Sequence, residues 1–235
     1  MGVQVFVTVG TSALEKFRNR SISGSRYEDN EVLIRELESS GYNSDLYNRQ
    51  KEYITQQISN RIANYCTIDP PNWWAYTAEV GSLLAMKRGG LLSTDLSENQ
   101  LFLFHSQTVG GKLCAEVVAD SIITATGECQ MVANADQVSV MQVDGLRVDQ
   151  PDTFRQSLVN LDNLLTRAMQ PNHKWFFNIT GGFKALIPYA TVLAWNNGMT
   201  ICYLFDKAER LIRINRPHLY GNIPMNEVLN GTTGA

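Results

Sequence analysis

Along the 235-residue chain, short near-continuous apolar runs alternate with stretches in which apolar residues recur every three to four positions. V-Q-V-F-V-T-V at 3–9 is β-branched and apolar until G-T-S breaks it, which predicts a strand running into a loop. L-F-L-F-H (101–105), V-S-V-M-Q-V (138–143), K-W-F-F-N-I (174–179) and M-T-I-C-Y-L-F (199–205) predict further strands. R-L-I-R-I-N, after the turn D-K-A-E, reads as an antiparallel partner of the last of these. Helical spacing covers 46–66, through Leu46, Tyr53, Ile54, Ile58, Ile62 and Cys66, and 111–125, through Leu113, Val117, Val118, Ile122 and Ile123. Further helices are expected over 73–88, closed by Gly89 and Gly90, over 152–169 after Pro151, and over 183–196. In the last, Pro188 implies a kink or a late start.

Residues 13–45 are polar apart from a short helical piece near 30–39 and exceed a usual βα connection. They are either a solvated surface excursion or a lid in which Arg18, Arg20 and Arg26 reach toward phosphates. Strands alternating with helices argue for an α/β domain: a mostly parallel sheet covered by helices on both faces, with a C-terminal antiparallel hairpin. It is expected to span 1–217, with a short polar tail over 218–235.

Composition narrows the function classes. Hydrophobic residues make up 44% and charged residues 18%, enough apolar material for a sizeable core. A net charge of -3 excludes a broad basic face for duplex DNA or an anionic membrane. No apolar run reaches the about 18 residues a membrane span needs, and the strand-like start is no signal peptide. Cys66, Cys114 and Cys202 lie in apolar stretches and Cys129 is remote from them, which is read as buried free thiols and a cytoplasmic setting.

In open α/β sheets ligands gather at the carboxyl ends of the strands. Three predicted strand ends carry glycine- and hydroxyl-rich loops. The first holds Gly10, Thr11 and Ser12. The second, S-Q-T-V-G-G, holds Ser106, Gln107, Thr108, Gly110 and Gly111. The third, N-I-T-G-G-F-K, holds Asn178, Thr180, Gly181, Gly182, Phe183 and Lys184. Glycines let backbone N–H groups approach a phosphate, and hydroxyls add donors. Each loop is also compatible with a plain tight turn. Ser12 is either an N-cap or a donor to an anion. Lys184 is either a solvated side chain or the cation of an anion site at a helix N-terminus.

Neither G-G-K-L nor G-G-F-K-A is a P-loop, and V-G-T-S-A-L lacks the dinucleotide fingerprint. None of the three loops contains Asp, Glu, Cys or His, and the three histidines, His105, His173 and His218, are dispersed. No metal and no cofactor are therefore expected. His105, ending an apolar strand, reads as structural.

T-V-G-T-S, A-E-V-G-S-L-L (78–84), S-Q-T-V-G-G with A-E-V-V-A-D, N-I-T-G-G-F-K-A-L-I-P-Y-A-T and C-Y-L-F-D-K-A-E-R-L-I-R-I follow in an order that resembles the CARF-domain proteins of type III CRISPR systems. The similarity covers roughly 3–217 and is nearest to the compact stand-alone ring nucleases. It implies a Rossmann-like homodimer that holds a cyclic oligoadenylate, most often the tetra-adenylate, across its two-fold axis. It also implies that Ser12 and Lys184 serve ring cleavage and that the glycine loops cradle the ligand. Gln107 departs from the acidic S-D-T of the family pattern, so its carry-over stays open. Metal-free cleavage would use the ribose 2′-hydroxyl as nucleophile, leaving linear di-adenylate with a 2′,3′-cyclic phosphate.

Three readings remain: the ring nuclease, a CARF sensor that binds without cutting, and a phosphosugar or nucleotide enzyme outside CRISPR. The residues after Pro217 are too few for a fused HEPN ribonuclease. The R-x5-H spacing of Arg167 and His173 lies inside the α/β pattern and is coincidental.

Overall fold

The computed structural model describes residues 1–17, 30–65, 76–147, 150–182, 184–205 and 210–215. Among these, β1 (Val3–Thr8), β2 (Asn99–Ser106), β3 (Val138–Val143), β4 (Lys174–Asn178), β5 (Thr200–Leu204) and β6 (Leu211–Ile214) form one sheet in the order β3-β2-β1-β4-β5-β6. β1 to β5 run parallel, with Val5 opposite both Leu101 and Phe176, and β6 pairs antiparallel with β5. The expected α/β class, the parallel sheet and the terminal hairpin are all present, and the strand order is that of a Rossmann-like sheet.

Among the described residues, four helices, α1 (Ser12–Phe17), α2 (Asn30–Ser40), α3 (Asp45–Tyr65) and α4 (Ala78–Arg88), lie between β1 and β2. α5 (Val109–Ile123) joins β2 to β3, α6 (Pro151–Ala168) joins β3 to β4, and α7 (Ile187–Asn196) joins β4 to β5. The two-residue period of β1 explains why its sequence reads as unbroken. Val3, Val5, Val7 and Val9 pack into the core formed with α1 to α5, whereas Phe6 packs into the core formed with α6 and α7. Phe6 stacks on Phe102 at 5.1 Å between ring centroids. Each such buried side chain is worth about 1.5–3 kcal/mol, and all six residues of β1 are buried. The polar residue at the strand's start is satisfied: the Gln4 carbonyl accepts from Gln170 N and Trp175 Nε1, and its amide donates to Gln100 and Ala168 O.

Several boundaries differ from expectation. The helical piece expected near 30–39 is present as α2, and the start of the polar excursion is helical as well, as α1. Ala13, Leu14 and Phe17 of α1 and Leu33 and Leu37 of α2 are buried in the core, because sparse apolar residues on a short helix still present one face. The proposed arginine lid, Arg18, Arg20 and Arg26, lies outside the described residues. α4 starts at Ala78, where Thr77 caps it by accepting from Val80 N at 3.1 Å. α5 starts at Val109 because Thr108 caps it, so Gly110 and Gly111 belong to a helical turn and not to a loop. The last helix starts late: Lys184–Leu186 form a 3-10 turn, and α7 begins at Ile187 with Pro188 in its first turn, where a missing N–H leaves no bond unmade. Cys114 and Cys202 are free and buried, as expected. Cys129 is disulfide-bonded, which corrects the reading of a chain without disulfides. Among the described residues no helix is long and apolar enough to cross a membrane.

Candidate anion-binding and active site

The chain steps outward from β1 to β2 and β3, then returns to the other side of β1 with β4. The connections leaving β1 and β4 therefore diverge, and the crevice between them is where such sheets bind ligands. G-T-S and T-G-G are the segments at that point. They touch through backbone: a Cβ on Gly10 would lie 2.7 Å from Gly182 N, and one on Gly182, whose φ is +91°, would lie 2.9 Å from Thr8 Cβ. Thr8 Oγ1 donates to Gly181 O at 2.6 Å and stitches the strand to the loop.

A residue from outside the three loops sits at the centre. Glu79, in the first turn of α4, is fully buried. Its Oε1 accepts from Gly10 N at 2.9 Å and its Oε2 from Ser12 Oγ at 2.7 Å. Ser12 Oγ in turn accepts from Ala78 N at 3.3 Å. Gly181 closes the other side: a Cβ there would lie 2.0 Å from Glu79 Oε1. Burial pushes the Glu79 carboxyl above its ordinary range, opposed by the bonds from Ser12 and Gly10 N. The three loops hold no acidic residue in sequence, yet the fold delivers one to them from α4. Its sequence signal was T-A-E at 77–79, a capping threonine followed by an acid in the first turn.

Other predicted residues shape the loops. Asn178 is buried; its Oδ1 accepts from Thr180 N at 3.2 Å and Thr180 Oγ1 at 2.7 Å, and its Nδ2 donates to Ser82 Oγ at 2.7 Å. Thr180 Oγ1 also accepts from Leu204 N at 2.9 Å, tying the loop to β5. Ser106 Oγ and Thr108 Oγ1 lie 2.9 Å apart, and a Cβ on Gly111 would meet Ser106 Oγ at 2.3 Å. Gln107 is exposed but its Oε1 accepts from Gly145 N at 2.9 Å, fixing the second loop to the turn after β3. Gly110 packs beside Leu14 and Ile34. Thr11 Oγ1 donates to Glu15 Oε1 at 3.1 Å. Phe183 lies outside the described residues.

Lys184 is exposed on the 3-10 turn ahead of α7, which corrects the placement of its charge on the first α-helical turn. His105 is buried with Nδ1 2.8 Å from Ser106 O, a structural position as expected. Among the described residues no three His, Cys, Asp or Glu side chains gather where they would share a metal ion. The structure thus joins the first and third loops around Glu79 and leaves the second one strand away, on β2.

No curated protein matches the chain. A family model described as CRISPR-associated protein (Cas_APE2256) matches residues 75–217, from the capped start of α4 through β6. This stretch is more than half of the chain and carries the glutamate, the second loop and the T-G-G loop. The chain belongs to this CRISPR-associated family.

Proposed function

We propose that the protein is a ring nuclease of type III CRISPR signalling. A cytoplasmic homodimer would hold a cyclic oligoadenylate, the tetra-adenylate foremost, across its two-fold axis over the carboxyl ends of the strands. The observation that carries this reading is the backbone contact of Gly10 with Gly182 at the switch point of the sheet. Glycine lets the two loops pack directly on each other there, which brings their main chain together at the carboxyl ends of β1 and β4, where such sheets take ligands. Family membership and the capped, glycine-bearing start of α5 support the same reading.

Cleavage requires in-line placement of a ribose 2′-hydroxyl against the adjacent phosphate and stabilisation of the charge that builds on its oxygens. Lys184, exposed beside the T-G-G loop, supplies the cation, and Ser12 orients the reacting groups. The products are linear di-adenylates ending in a 2′,3′-cyclic phosphate, and their formation terminates the signal.

A sensor that binds the ring without cutting it is favoured by one observation: the Ser12 hydroxyl donates to Glu79 and is not turned outward to a phosphate. The deciding experiment incubates the pure protein with cyclic tri-, tetra- and hexa-adenylate in EDTA and resolves the products. Linear products that vanish in Lys184→Ala support the nuclease. Tight binding without cleavage over hours leaves the sensor.

A further inference from the structure

Attack by a 2′-hydroxyl releases a proton, and neither of the two joined loops carries a base to receive it. Serine cannot serve alone, because its neutral hydroxyl takes up a proton only while passing its own onward. The fold places an acceptor behind it. Ser12 is half-buried and reachable, whereas Glu79 is sealed beneath it by α4 and by the close approach of Gly181. The bond directions are set. Ala78 N donates to Ser12 Oγ at 3.3 Å, and Ser12 sends its own proton toward Glu79 Oε2 at 2.7 Å. Gly10 N holds the other carboxylate oxygen at 2.9 Å, so the acid cannot swing away.

We infer that Glu79 is a positioning residue for cleavage that acts through Ser12: it orients the hydroxyl and receives the proton that Ser12 relays from the attacking ribose. The inference rests on the ring-nuclease reading. In the step, the 2′-oxygen forms a bond to phosphorus while its proton passes to Ser12 Oγ, and the Ser12 proton passes to Glu79. The bond from phosphorus to the 5′-oxygen breaks with its electron pair, and the leaving oxygen takes a proton from water. The hydroxide so formed is neutralised when Glu79 returns its proton through Ser12. The substrate is isomerised from ring to chain with no net uptake of water, and the phosphodiester charge is conserved.

Burial favours this role, since a carboxylate held above its ordinary range is a stronger base near neutral pH. The ionisable group that faces it from α5 is Cys114, whose thiol feels the charge of Glu79 and of Glu15 on α1, while Lys16 of α1 donates to Tyr76 O at 2.9 Å. Cys114 is pushed up to about 12 by its own burial and stays neutral through the working range. The exposed Lys184 is the cation on the T-G-G side.

The test is the single-turnover rate of cyclic tetra-adenylate cleavage in EDTA, followed from about pH 5 to about pH 9 in the wild type and in Glu79→Gln, with the affinity of each for the uncut ring. The expected result is a wild-type rate that rises with pH along an acid limb. Glu79→Gln is expected to bind within about threefold of the wild type, to cleave about 100-fold more slowly and to lose the limb, the range in which a general base contributes. A merely structural glutamate would lower affinity and leave the shape of the profile unchanged. If Glu79→Gln does not fold, Glu79→Asp replaces it. A rate at least about tenfold lower with the limb displaced supports the relay, because the carboxylate is then withdrawn from Ser12. An unchanged rate and profile in the folded variant overturns the relay and leaves the nuclease standing. A wild type that binds the ring and never cuts it overturns the nuclease reading, and the relay with it.

Discussion

Ser12 and Glu79 stand 67 positions apart in the chain, yet Ser12 Oγ donates to Glu79 Oε2 at 2.7 Å. One residue opens the helix after β1 and the other opens α4, so the bond joins the start and the end of the long connection between β1 and β2. Because Gly10 N binds the same carboxylate, this acid sets the shape of the first loop.

The raised carboxyl of Glu79 gives a pH signature in stability. Its folded value lies above the ordinary 4.5, chiefly through burial, so the folded chain holds this proton more tightly than the unfolded chain. The stability so contributed is complete below the unfolded value and is lost as pH rises through the folded one. The unfolding free energy of the wild type relative to Glu79→Gln is expected to fall as pH rises from 4.5, by at most about 1.4 kcal/mol per pH unit. Urea denaturation of both proteins at a series of pH values measures it, and a flat difference would contradict an ionisable buried acid.

The close approaches predict a ranking among glycine substitutions. Gly181→Ala forces a Cβ to within 2.0 Å of Glu79 Oε1, and Gly10→Ala to within 2.7 Å of Gly182 N. Neither neighbour can retreat, one being a hydrogen-bonded buried carboxylate and the other backbone. Each substitution should destabilise by about 1–3 kcal/mol or more and depress ligand binding. Gly127, with φ +59° and nothing within 4 Å of a Cβ, should lose only the about 1 kcal/mol of a left-handed position when changed to Ala. Thermal melts of the three variants test the order.

Asn178 tests how the T-G-G loop is held. Asn178→Ala removes the acceptor of Thr180 N and Thr180 Oγ1 and the donor to Ser82 Oγ, although Thr180 Oγ1 keeps Leu204 N and Ser82 Oγ keeps Glu79 O. The expected loss is about 1–3 kcal/mol, since Thr180 N is left unsatisfied and the other two groups each lose one of their bonds. Chemical denaturation gives the number. A loss below about 1 kcal/mol would mean that water replaces the side chain.

His105 carries the opposite sign. Burial pushes its ring below the ordinary 6.5, against the Ser106 O bond, and Lys112 adds to the lowering while Glu116 opposes it. The folded chain therefore resists protonation, and the stability is present above the unfolded value and lost as pH falls through the folded one. Relative to His105→Leu, the wild type is expected to lose stability below about pH 6.5, measured by urea denaturation.

Much of the fold was legible because its signal is local. V-Q-V-F-V-T-V can only be a strand buried on both faces, and the valines on one face and Phe6 on the other confirm why it lacks alternation. The 46–66 periodicity became α3, and Pro151 opened α6. Caps displaced the other boundaries. Thr108 pulled two glycines into α5, and a 3-10 turn moved Lys184 off the α7 helix, effects of one hydrogen bond each that a composition pattern does not register.

The amino-acid order by itself determined the strands, the helices and the glycine-bearing strand ends, since hydrophobic period and turn chemistry act over a few residues. It also carried the family resemblance, borne out for a CRISPR-associated family over 75–217. Only the tertiary structure decided that two loops separated by about 170 residues meet backbone to backbone, and that Glu79 lies between them. Strand order sets that meeting, and strand order is fixed by long-range packing of β4 beside β1, which no local pattern encodes.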